Sequence, residues 1–243
     1  MSAALTLCGA TVAQALARAG WQPGEPLPTW LSAAEQARAL AIKSPDRLAA
    51  FLAGRWLLRK AAARHTGIAP GWQATAGEGG PPRLHHPGGA ELHAGLSHSG
   101  RFVAAVVGQH PTGIDIEDRR VSRDRDWPRL APRILHPLEQ AWLAQQPDAA
   151  AACLTLWTLK EAAIKLRGQA LGLRRLPCIV CQPGPAQVHK PTGIPATVWS
   201  TPDWVLSLAT DAGQPPQALA LHGLVPAIDP SAAAQPWTVR HEG

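Results

Sequence analysis

Two carboxylates lie two residues apart in a short apolar run that a glycine opens, Gly113-Ile114-Asp115-Ile116-Glu117. On a strand, side chains alternate between the two faces, so Asp115 and Glu117 point to one face and the two isoleucines to the other. Paired carboxylates suit Mg²⁺, which proteins usually hold with one or two carboxylates, water and substrate phosphates. The pattern is also typical of solvent-facing strand positions, so this stretch alone leaves both interpretations open.

A second stretch, Trp157 to Lys165, adds a third carboxylate and a lysine. At 3.6 residues per turn, Glu161 and Lys165 share one face of a helix, while leucines and alanines form its buried stripe. The alternative interpretation is an exposed i, i+4 pair, which stabilises a helix by only about 0.2–0.5 kcal/mol. The candidates for chemistry are therefore three carboxylates and one lysine.

Composition restricts the class of partner. The chain has 243 residues, a net charge of +6 and a pI near 9.7, which favours nucleic acid, a nucleotide-like cofactor or an acidic protein. No apolar run is long enough to cross a bilayer, and the first twenty residues lack the features of a secretion signal. We therefore expect a cytoplasmic protein with no membrane partner.

The first half of the chain carries two helix signals. A capping box formed by Ser32 and Glu35 predicts a short helix with Arg38 on its polar side. A longer, strongly basic helix is predicted between Ser44 and Gly67. Its arginines are interpreted mainly as a solvated face.

The middle of the chain leads into the carboxylate motifs. Ser97 and His98 end a predicted strand; they face opposite ways and so form no catalytic dyad, but a hydroxyl and an imidazole beside a tight turn can hold a phosphate. Residues 118–133 contain six arginines against three aspartates and are predicted as a basic loop leading into a helix. Residues 149–167 are predicted as the long helix that carries Glu161.

Taken in order, these motifs resemble the 4'-phosphopantetheinyl transferase superfamily. The similarity is to its long, pseudo-dimeric class, the surfactin-synthetase-activating type, and runs from about residue 31 to residue 208. Each motif is weak singly, but the ordered set is specific. The matching motifs are Leu31-Ser32-Ala33-Ala34-Glu35, Gly54-Arg55-Trp56-Leu57-Leu58-Arg59, Leu96-Ser97-His98-Ser99-Gly100, Gly113-Ile114-Asp115-Ile116-Glu117 and Trp157 to Lys165.

This resemblance implies a reaction of the holo-[acyl-carrier-protein] synthase type. The 4'-phosphopantetheine arm of coenzyme A would pass to a serine of an apo acyl or peptidyl carrier protein, with Mg²⁺ as cofactor, releasing adenosine 3',5'-bisphosphate. Asp115, Glu117 and Glu161 would bind the metal. Glu161 and Lys165 would be catalytic, Lys165 meeting phosphate charge and Glu161 accepting the proton of the attacking serine.

The resemblance also implies a set of residues that contact coenzyme A. They are Arg38, Ser97, His98, Lys160 and Lys165. One departure concerns the basic residue that the family often has in a Gly-Lys-Pro motif ahead of the serine-histidine strand. Here Pro81 and Pro82 stand at that place, with Arg83 displaced by two residues, so the contacts to the 3'-phosphate are not defined by the motif.

The implied fold is α+β, with two similar half-domains related by a pseudo-twofold, each a small sheet packed on a long helix. We expect the half-domains at residues 1–110 and 111–223, followed by a tail at 224–243. The active site would lie between them in a monomer, the second half supplying metal ligands and the first supplying basic residues. An acidic carrier helix would bind the basic segment 119–133.

Two other functions remain open on the residues alone. A basic nucleic-acid-binding module would explain the charge, but the sequence shows no recognisable nucleic-acid-binding motif. The three carboxylates would also repel the phosphates of a nucleic acid bound in a basic groove. We therefore expect no nucleic-acid partner. A Mg²⁺-dependent phosphohydrolase could use the same carboxylates with water as the nucleophile.

Overall fold

The computed structural model describes residues 5–68, 70–75, 81–168, 173–184, 193–211, 219–222 and 234–241. Long helices and two sheets give the predicted α+β fold. The helices are α1 (Val12–Ala19), α2 (Ala33–Ala41), α3 (Pro45–Thr66), α4 (Arg119–Ser122), α5 (Trp127–Ile134), α6 (Pro137–Leu143) and α7 (Ala149–Arg167), and a 3-10 helix spans Leu173–Cys178.

The strands form one sheet in each half of the molecule. They are β1 (Leu5–Thr11), β2 (Gln73–Thr75), β3 (Arg83–His85), β4 (Glu91–Ser99), β5 (Phe102–Gly108), β6 (Thr112–Asp118), β7 (Ile179–Pro183), β8 (Ile194–Ser200), β9 (Trp204–Thr210), β10 (Leu219–His222) and β11 (Gln235–His241). The first sheet has the order β10-β1-β5-β4-β3-β2 and the second β6-β9-β8-β11-β7. In each half the first strand pairs antiparallel with a later one, β1 with β5 and β6 with β9, and this arrangement agrees with the expected two similar half-domains.

Each half is built on one long helix. In the first, Ser44 caps α3, Pro45 occupies its first turn and Gly67 ends it with a φ of 73°, as the sequence predicts. One side of α3, including Leu52 and Leu58, is buried against β1, β4 and β5. In the second half, α7 is packed against the second sheet in a separate apolar core.

A third apolar cluster joins the two sheets. Leu7 and Val106 of the first sheet meet Ile114, Ile116 and residues of β9. Because side chains alternate on β6, the isoleucines face the first half and the carboxylates face α7. The paired carboxylates therefore lie where β6, the edge strand of the second sheet, meets both the first half and α7.

Three segments differ from the expected organisation. The 118–133 segment forms the short helices α4 and α5 rather than a loop, each capped by an aspartate. Strand β10, expected in the second half, pairs parallel with β1 of the first sheet. Strand β11, expected in the tail, lies inside the second sheet because its Trp237 and Val239 are buried in the core.

The remaining part of the expected tail, residues 224–233 and 242–243, lies outside the described residues. Within the described ranges, none of the helices combines the length and the apolar character that a bilayer crossing requires.

Candidate active site between the half-domains

Gly113 sets the distance between β6 and α7. A Cβ at this position would lie 1.9 Å from the carbonyl oxygen of Ala162 and 2.4 Å from the backbone nitrogen of Leu166. Only glycine allows the strand and the helix to approach this closely. The contact brings Asp115 and Glu117, on the same face of the strand, towards the side of α7 that carries Glu161 and Lys165.

Asp115 is buried at the junction of the two halves. Its Oδ1 atom accepts hydrogen bonds from Lys165 Nζ at 2.6 Å and from Ser97 Oγ at 2.8 Å. Its Oδ2 atom is buried and has no hydrogen-bond partner. Burial raises the pKa of Asp115, and the positive charge of Lys165 counteracts that effect only in part.

Glu117 is held by four side chains. Its Oε1 accepts from Arg125 Nη2 at 2.7 Å and from the indole nitrogen of Trp157 at 3.2 Å, and its Oε2 accepts from Ser99 Oγ at 2.6 Å and Ser122 Oγ at 3.4 Å. The guanidinium of Arg125 lies 5.2 Å from the ring centre of Trp157 and 5.6 Å from the ring centre of Trp127. These contacts fix the orientation of the carboxylate.

Glu161 differs from the other two carboxylates. Among the described residues it has no hydrogen-bond or ion-pair partner, although it is partly buried. Burial raises the pKa of Glu161, and the neighbouring Asp115 and Glu117 charges raise it further against the opposing effect of Lys165 and Arg125. The predicted face of α7 is therefore formed, and the cluster contains a carboxylate whose charge is not compensated.

Ser97 and His98 face opposite sides of β4, as the strand pattern predicts. Ser97 Oγ accepts from Lys165 Nζ at 3.0 Å and from the backbone nitrogen of Ile116 at 3.2 Å, so it joins the first half to the edge of β6. His98 lies on the α3 side. Burial lowers the pKa of His98, and the positive charges of Lys165 and Arg47 add to the effect.

Comparison with known proteins identifies the superfamily. Residues 111–209 match the family model described as the 4'-phosphopantetheinyl transferase superfamily. The 4'-phosphopantetheinyl transferase AcpT of Salmonella typhimurium is 38% identical over 144 residues, which cover 57% of this chain and 69% of that protein. The chain belongs to the 4'-phosphopantetheinyl transferase superfamily.

Two other superfamily members show similar identity over shorter lengths. A 4'-phosphopantetheinyl transferase of Bacillus subtilis is 35% identical over 125 residues, 50% of this chain and 53% of the relative, so the chain spans about half the length of that protein. The 4'-phosphopantetheinyl transferase gsp of Aneurinibacillus migulanus is 34% identical over 83 residues, 33% of each. The family model covers β6 to β9, which carry the three carboxylates and Lys165.

Lys160 does not lie at this site, contrary to the expectation from the family resemblance. It is fully buried on another side of α7, where Nζ is 2.8 Å from Glu139 Oε2 and also donates to the carbonyl oxygens of Leu176 and Ile179. One residue along an α-helix is a rotation of about 100°, so the neighbour of Glu161 points into the core of the second half. Lys160 is therefore a structural residue.

The basic residues of the first half form a separate cluster. Arg38 is exposed on α2, and its guanidinium lies 5.9 Å from the ring centre of Phe51. Arg55, expected on a solvated face, is instead buried, and its guanidinium lies 5.0 Å from the same ring. Arg125, which binds Glu117, is a residue of the site that sequence analysis missed, and the burial of Arg55 was not predicted. The available signal was the spacing of four between Phe51 and Arg55 on one face of α3.

The carboxylate cluster offers oxygen donors of the kind that Mg²⁺ prefers. Among the described residues, no three His, Cys, Asp or Glu side chains are gathered at metal-binding distance, because Asp115 is paired with Lys165 and Glu117 with Arg125. The buried, unpartnered Oδ2 of Asp115 and the uncompensated Glu161 nevertheless provide oxygen donors with excess negative charge. This hard-oxygen donor set fits Mg²⁺.

A cavity of about 1010 Å³ lies in the first half, between α1, α3 and the end of β4. It is lined mainly by apolar residues of α1 and α3, including Leu16 and Ala50, and His98, Arg47 and Arg101 contribute polar groups. An apolar cavity with a few polar groups is typical of a small-molecule site. His98 lines this cavity from the face of β4 opposite to Ser97, whereas the carboxylate cluster lies on the Ser97 side.

Proposed function

We propose that the chain transfers the 4'-phosphopantetheine arm of coenzyme A to a serine of an apo acyl or peptidyl carrier protein. The observation that carries this proposal is the assembly of Asp115, Glu117, Glu161 and Lys165 at the junction of the half-domains, in a member of the phosphopantetheinyl transferase superfamily. Such a cluster suits a reaction that builds negative charge on phosphate oxygens.

In this reaction the serine oxygen of the carrier forms a bond to the β-phosphorus of coenzyme A. The bond from that phosphorus to the bridging oxygen breaks, and adenosine 3',5'-bisphosphate leaves. Asp115, Glu117 and Glu161 would hold Mg²⁺, which when bound neutralises pyrophosphate charge and fixes its orientation. The ammonium of Lys165, which is partly exposed, stabilises negative charge on the phosphate oxygens.

Glu161 is our candidate for the base that receives the serine proton, directly or through a water. Its raised pKa makes it a better proton acceptor than an exposed glutamate, and no described side chain competes for its oxygens. Glu117 is less suited because Arg125, Trp157 and Ser99 already bind its oxygens. The two roles of Glu161, metal ligand and proton acceptor, are both part of the proposal.

The carrier would bind beside the site on α4 and α5. These helices expose Arg120, Arg123, Arg129 and Arg133, and also the apolar side chain of Val121. A basic surface with an apolar contact suits an acidic helix. Because one chain supplies Ser97 and His98 from the first half and the carboxylates from the second, we propose that the monomer contains a complete site.

The deciding experiment incubates an apo carrier protein with coenzyme A, Mg²⁺ and the chain, and measures the carrier by mass spectrometry. Transfer adds one phosphopantetheine group to the carrier serine. A phosphohydrolase would consume coenzyme A and leave the carrier mass unchanged. A nucleic-acid-binding module would do neither and would bind DNA or RNA in a salt-dependent manner.

Alanine at Asp115, Glu117 or Glu161 should lower transfer by about a hundredfold or more, the scale expected when one strong electrostatic stabiliser is lost. Glu91→Ala is the matched control, because Glu91 is exposed and pairs with His85 at the far end of β4. Near-normal transfer by Asp115→Ala, with the control also normal, would contradict the proposed site.

A further inference from the structure

Arg125 is the cation that pairs with Glu117, and it makes few other polar contacts. Its Nη2 atom donates to Glu117 Oε1 at 2.7 Å, which is the one hydrogen bond of its side chain within the described residues. The Nη1 atom is buried and has no hydrogen-bond partner. The side chain as a whole is 30% exposed. Because a guanidinium carries five N–H donors, most of the hydrogen-bonding capacity of Arg125 is unused.

Two tryptophans support the guanidinium without fixing it in one position. The ring centres of Trp127 and Trp157 lie 5.6 Å and 5.2 Å from it. The two rings pack against each other edge to face, and Trp127 is buried. A ring face attracts a cation through its quadrupole and needs no particular hydrogen bond to do so. The guanidinium of Arg125 can therefore leave Glu117 while it keeps its contact with the indoles.

The backbone of Arg125 is anchored in the turn between α4 and α5. The two helices are capped by Asp118 and Asp126, one on each side of the turn. The backbone nitrogen of Arg125 donates to the carbonyl oxygen of Ser122 at 3.3 Å, and its carbonyl oxygen accepts from the nitrogen of Trp127 at 2.8 Å. A change of partner for the guanidinium therefore requires only side-chain rotation.

Arg125 competes with the metal that Glu117 would bind. Both are cations on one partly buried carboxylate, where like charges repel more strongly than they do in water. The three carboxylates of the site face two cations, Arg125 and Lys165, so the site has surplus negative charge on its own and surplus positive charge with a divalent ion. That surplus positive charge suits the pyrophosphate of a substrate.

We propose that Arg125 changes partner in the reaction, from Glu117 in the free protein to a pyrophosphate oxygen of coenzyme A once Glu117 binds Mg²⁺. This inference rests on the proposed function, which supplies both the metal and the pyrophosphate. A planar guanidinium with unused donors matches phosphate oxygens. Arg125 is thereby a second cation, beside Lys165, that neutralises the charge of the phosphates.

The test measures binding alone, without a carrier, so that no transfer takes place. Mn²⁺ replaces Mg²⁺ because it prefers the same oxygen ligands, and electron paramagnetic resonance measures the free ion directly. Dissociation constants are determined for Mn²⁺ alone and, by calorimetry, for coenzyme A at saturating Mn²⁺. The ionic strength is kept near 0.15 M, where exposed charges farther apart than about 8 Å are largely screened.

Arg125→Met should shift the two constants in opposite directions. Binding of Mn²⁺ alone should tighten by about 10-fold, because the competing cation is gone, and binding of coenzyme A should weaken by about 10-fold, because a phosphate contact is gone. Both values are the lower end of the range for one charge-assisted hydrogen bond, since Arg125 is partly exposed. Arg125→Lys keeps the charge but not the planar donors, so it should keep Mn²⁺ affinity within about threefold of wild type and still weaken coenzyme A.

Arg167→Met is the matched control for the loss of one positive charge. Arg167 is exposed in the last turn of α7, six residues after Glu161 and so about 9 Å from it along the helix axis. Both dissociation constants of this variant should stay within about twofold of wild type. A change as large as that in Arg125→Met would assign the effect to net charge and overturn the inference.

The direction of the change in Mn²⁺ affinity separates the proposed role from a structural one. If Arg125 only oriented Glu117, its loss would weaken Mn²⁺ binding, and that result would overturn the inference. Unchanged coenzyme A affinity in Arg125→Met would also overturn it, and Arg125→Lys decides this point if the methionine variant does not fold. In each of these cases transfer to a carrier by the wild type would leave the proposed function standing. A wild type that binds neither Mn²⁺ nor coenzyme A would end both.

Discussion

Replacing Gly113 with alanine should separate the two elements that build the site. The added Cβ would lie 1.9 Å from the carbonyl oxygen of Ala162 and 2.4 Å from the nitrogen of Leu166. Both are backbone atoms of α7, so neither can rotate away as a side chain would. Strand β6 or helix α7 must therefore move by more than 1 Å to reach an ordinary contact distance of about 3.4 Å or more.

The expected cost follows from the rigidity of this contact. Overpacking a core usually costs about 1–3 kcal/mol and sometimes more. A clash between two backbone segments, neither of which can rotate away, should exceed the usual range, so we expect Gly113→Ala to lower the free energy of unfolding by about 3–5 kcal/mol. For a chain of this size, that corresponds to a fall in melting temperature of about 6–20 °C.

The assay combines thermal unfolding with calorimetric binding of coenzyme A in the presence of Mg²⁺. Binding should weaken together with stability, since Asp115 and Glu117 move away from Glu161 and Lys165. Gly54→Ala is the control, because a Cβ there would meet only the flexible end of Leu96, at 2.8 Å. We expect it to change stability by no more than about 1 kcal/mol, as the gain in helix propensity offsets the side-chain adjustment.

A Gly113→Ala variant with a melting temperature within about 2 °C of the wild type would refute this reasoning. It would mean that β6 and α7 can separate without consequence, and that the glycine is not what sets their distance. Weakened binding of coenzyme A without any loss of stability would also contradict this reasoning, because the steric clash must lower the free energy of unfolding.

Three further predictions concern charged groups. Glu161→Gln should abolish transfer but raise the free energy of unfolding by about 0.5–2 kcal/mol in denaturant titration, because it removes a carboxylate that its neighbours repel. Lys160→Met should cost about 3–5 kcal/mol by leaving Glu139 buried and unpaired, and adding Glu139→Gln should restore part of the loss. Burial raises the pKa of Asp118, but hydrogen bonds from Arg101 outweigh this effect and place the pKa of the folded state below 3.8. Ionised Asp118 therefore contributes its full stabilisation above pH 3.8, and this contribution is lost as the pH falls through the pKa of the folded state. Acid titration of Asp118→Asn should not show this loss.

Local signals in the sequence predicted the elements that carry the site. The ends of α3 and α7 follow from Ser44, Gly67, Asp148 and Gly168, each of which satisfies backbone groups within a few residues of itself. The shared face of Asp115 and Glu117 follows from strand alternation in the same way. Where the determining contact is local, the pattern of residue types was sufficient.

Non-local contacts could not be predicted in this way. Arg55 was interpreted as solvated because α3 is basic along its length, but α2 folds over it and brings Glu35 from 20 residues away. Strand β11 was assigned to a tail although its Trp237, Thr238 and Val239 are residue types that favour strands. Its place between β7 and β8 depends on strands that are far from it in the chain.

The two lysines of α7 show what separates a structural ion pair from a functional one. Lys160 has three acceptors for its three N–H groups, and its partner Glu139 also accepts from two backbone nitrogens, so every polar atom of that pair is satisfied in the interior. Lys165 and Asp115 instead leave a buried oxygen without a partner and an ammonium open to solvent. An ion pair whose polar atoms all have hydrogen-bond partners has none left to bind a ligand. An ion pair that leaves a buried oxygen without a partner, at the junction of two half-domains, can still bind one. By this criterion we assign Lys165 to the proposed catalytic cluster and Lys160, five residues away on the same helix, to the fold.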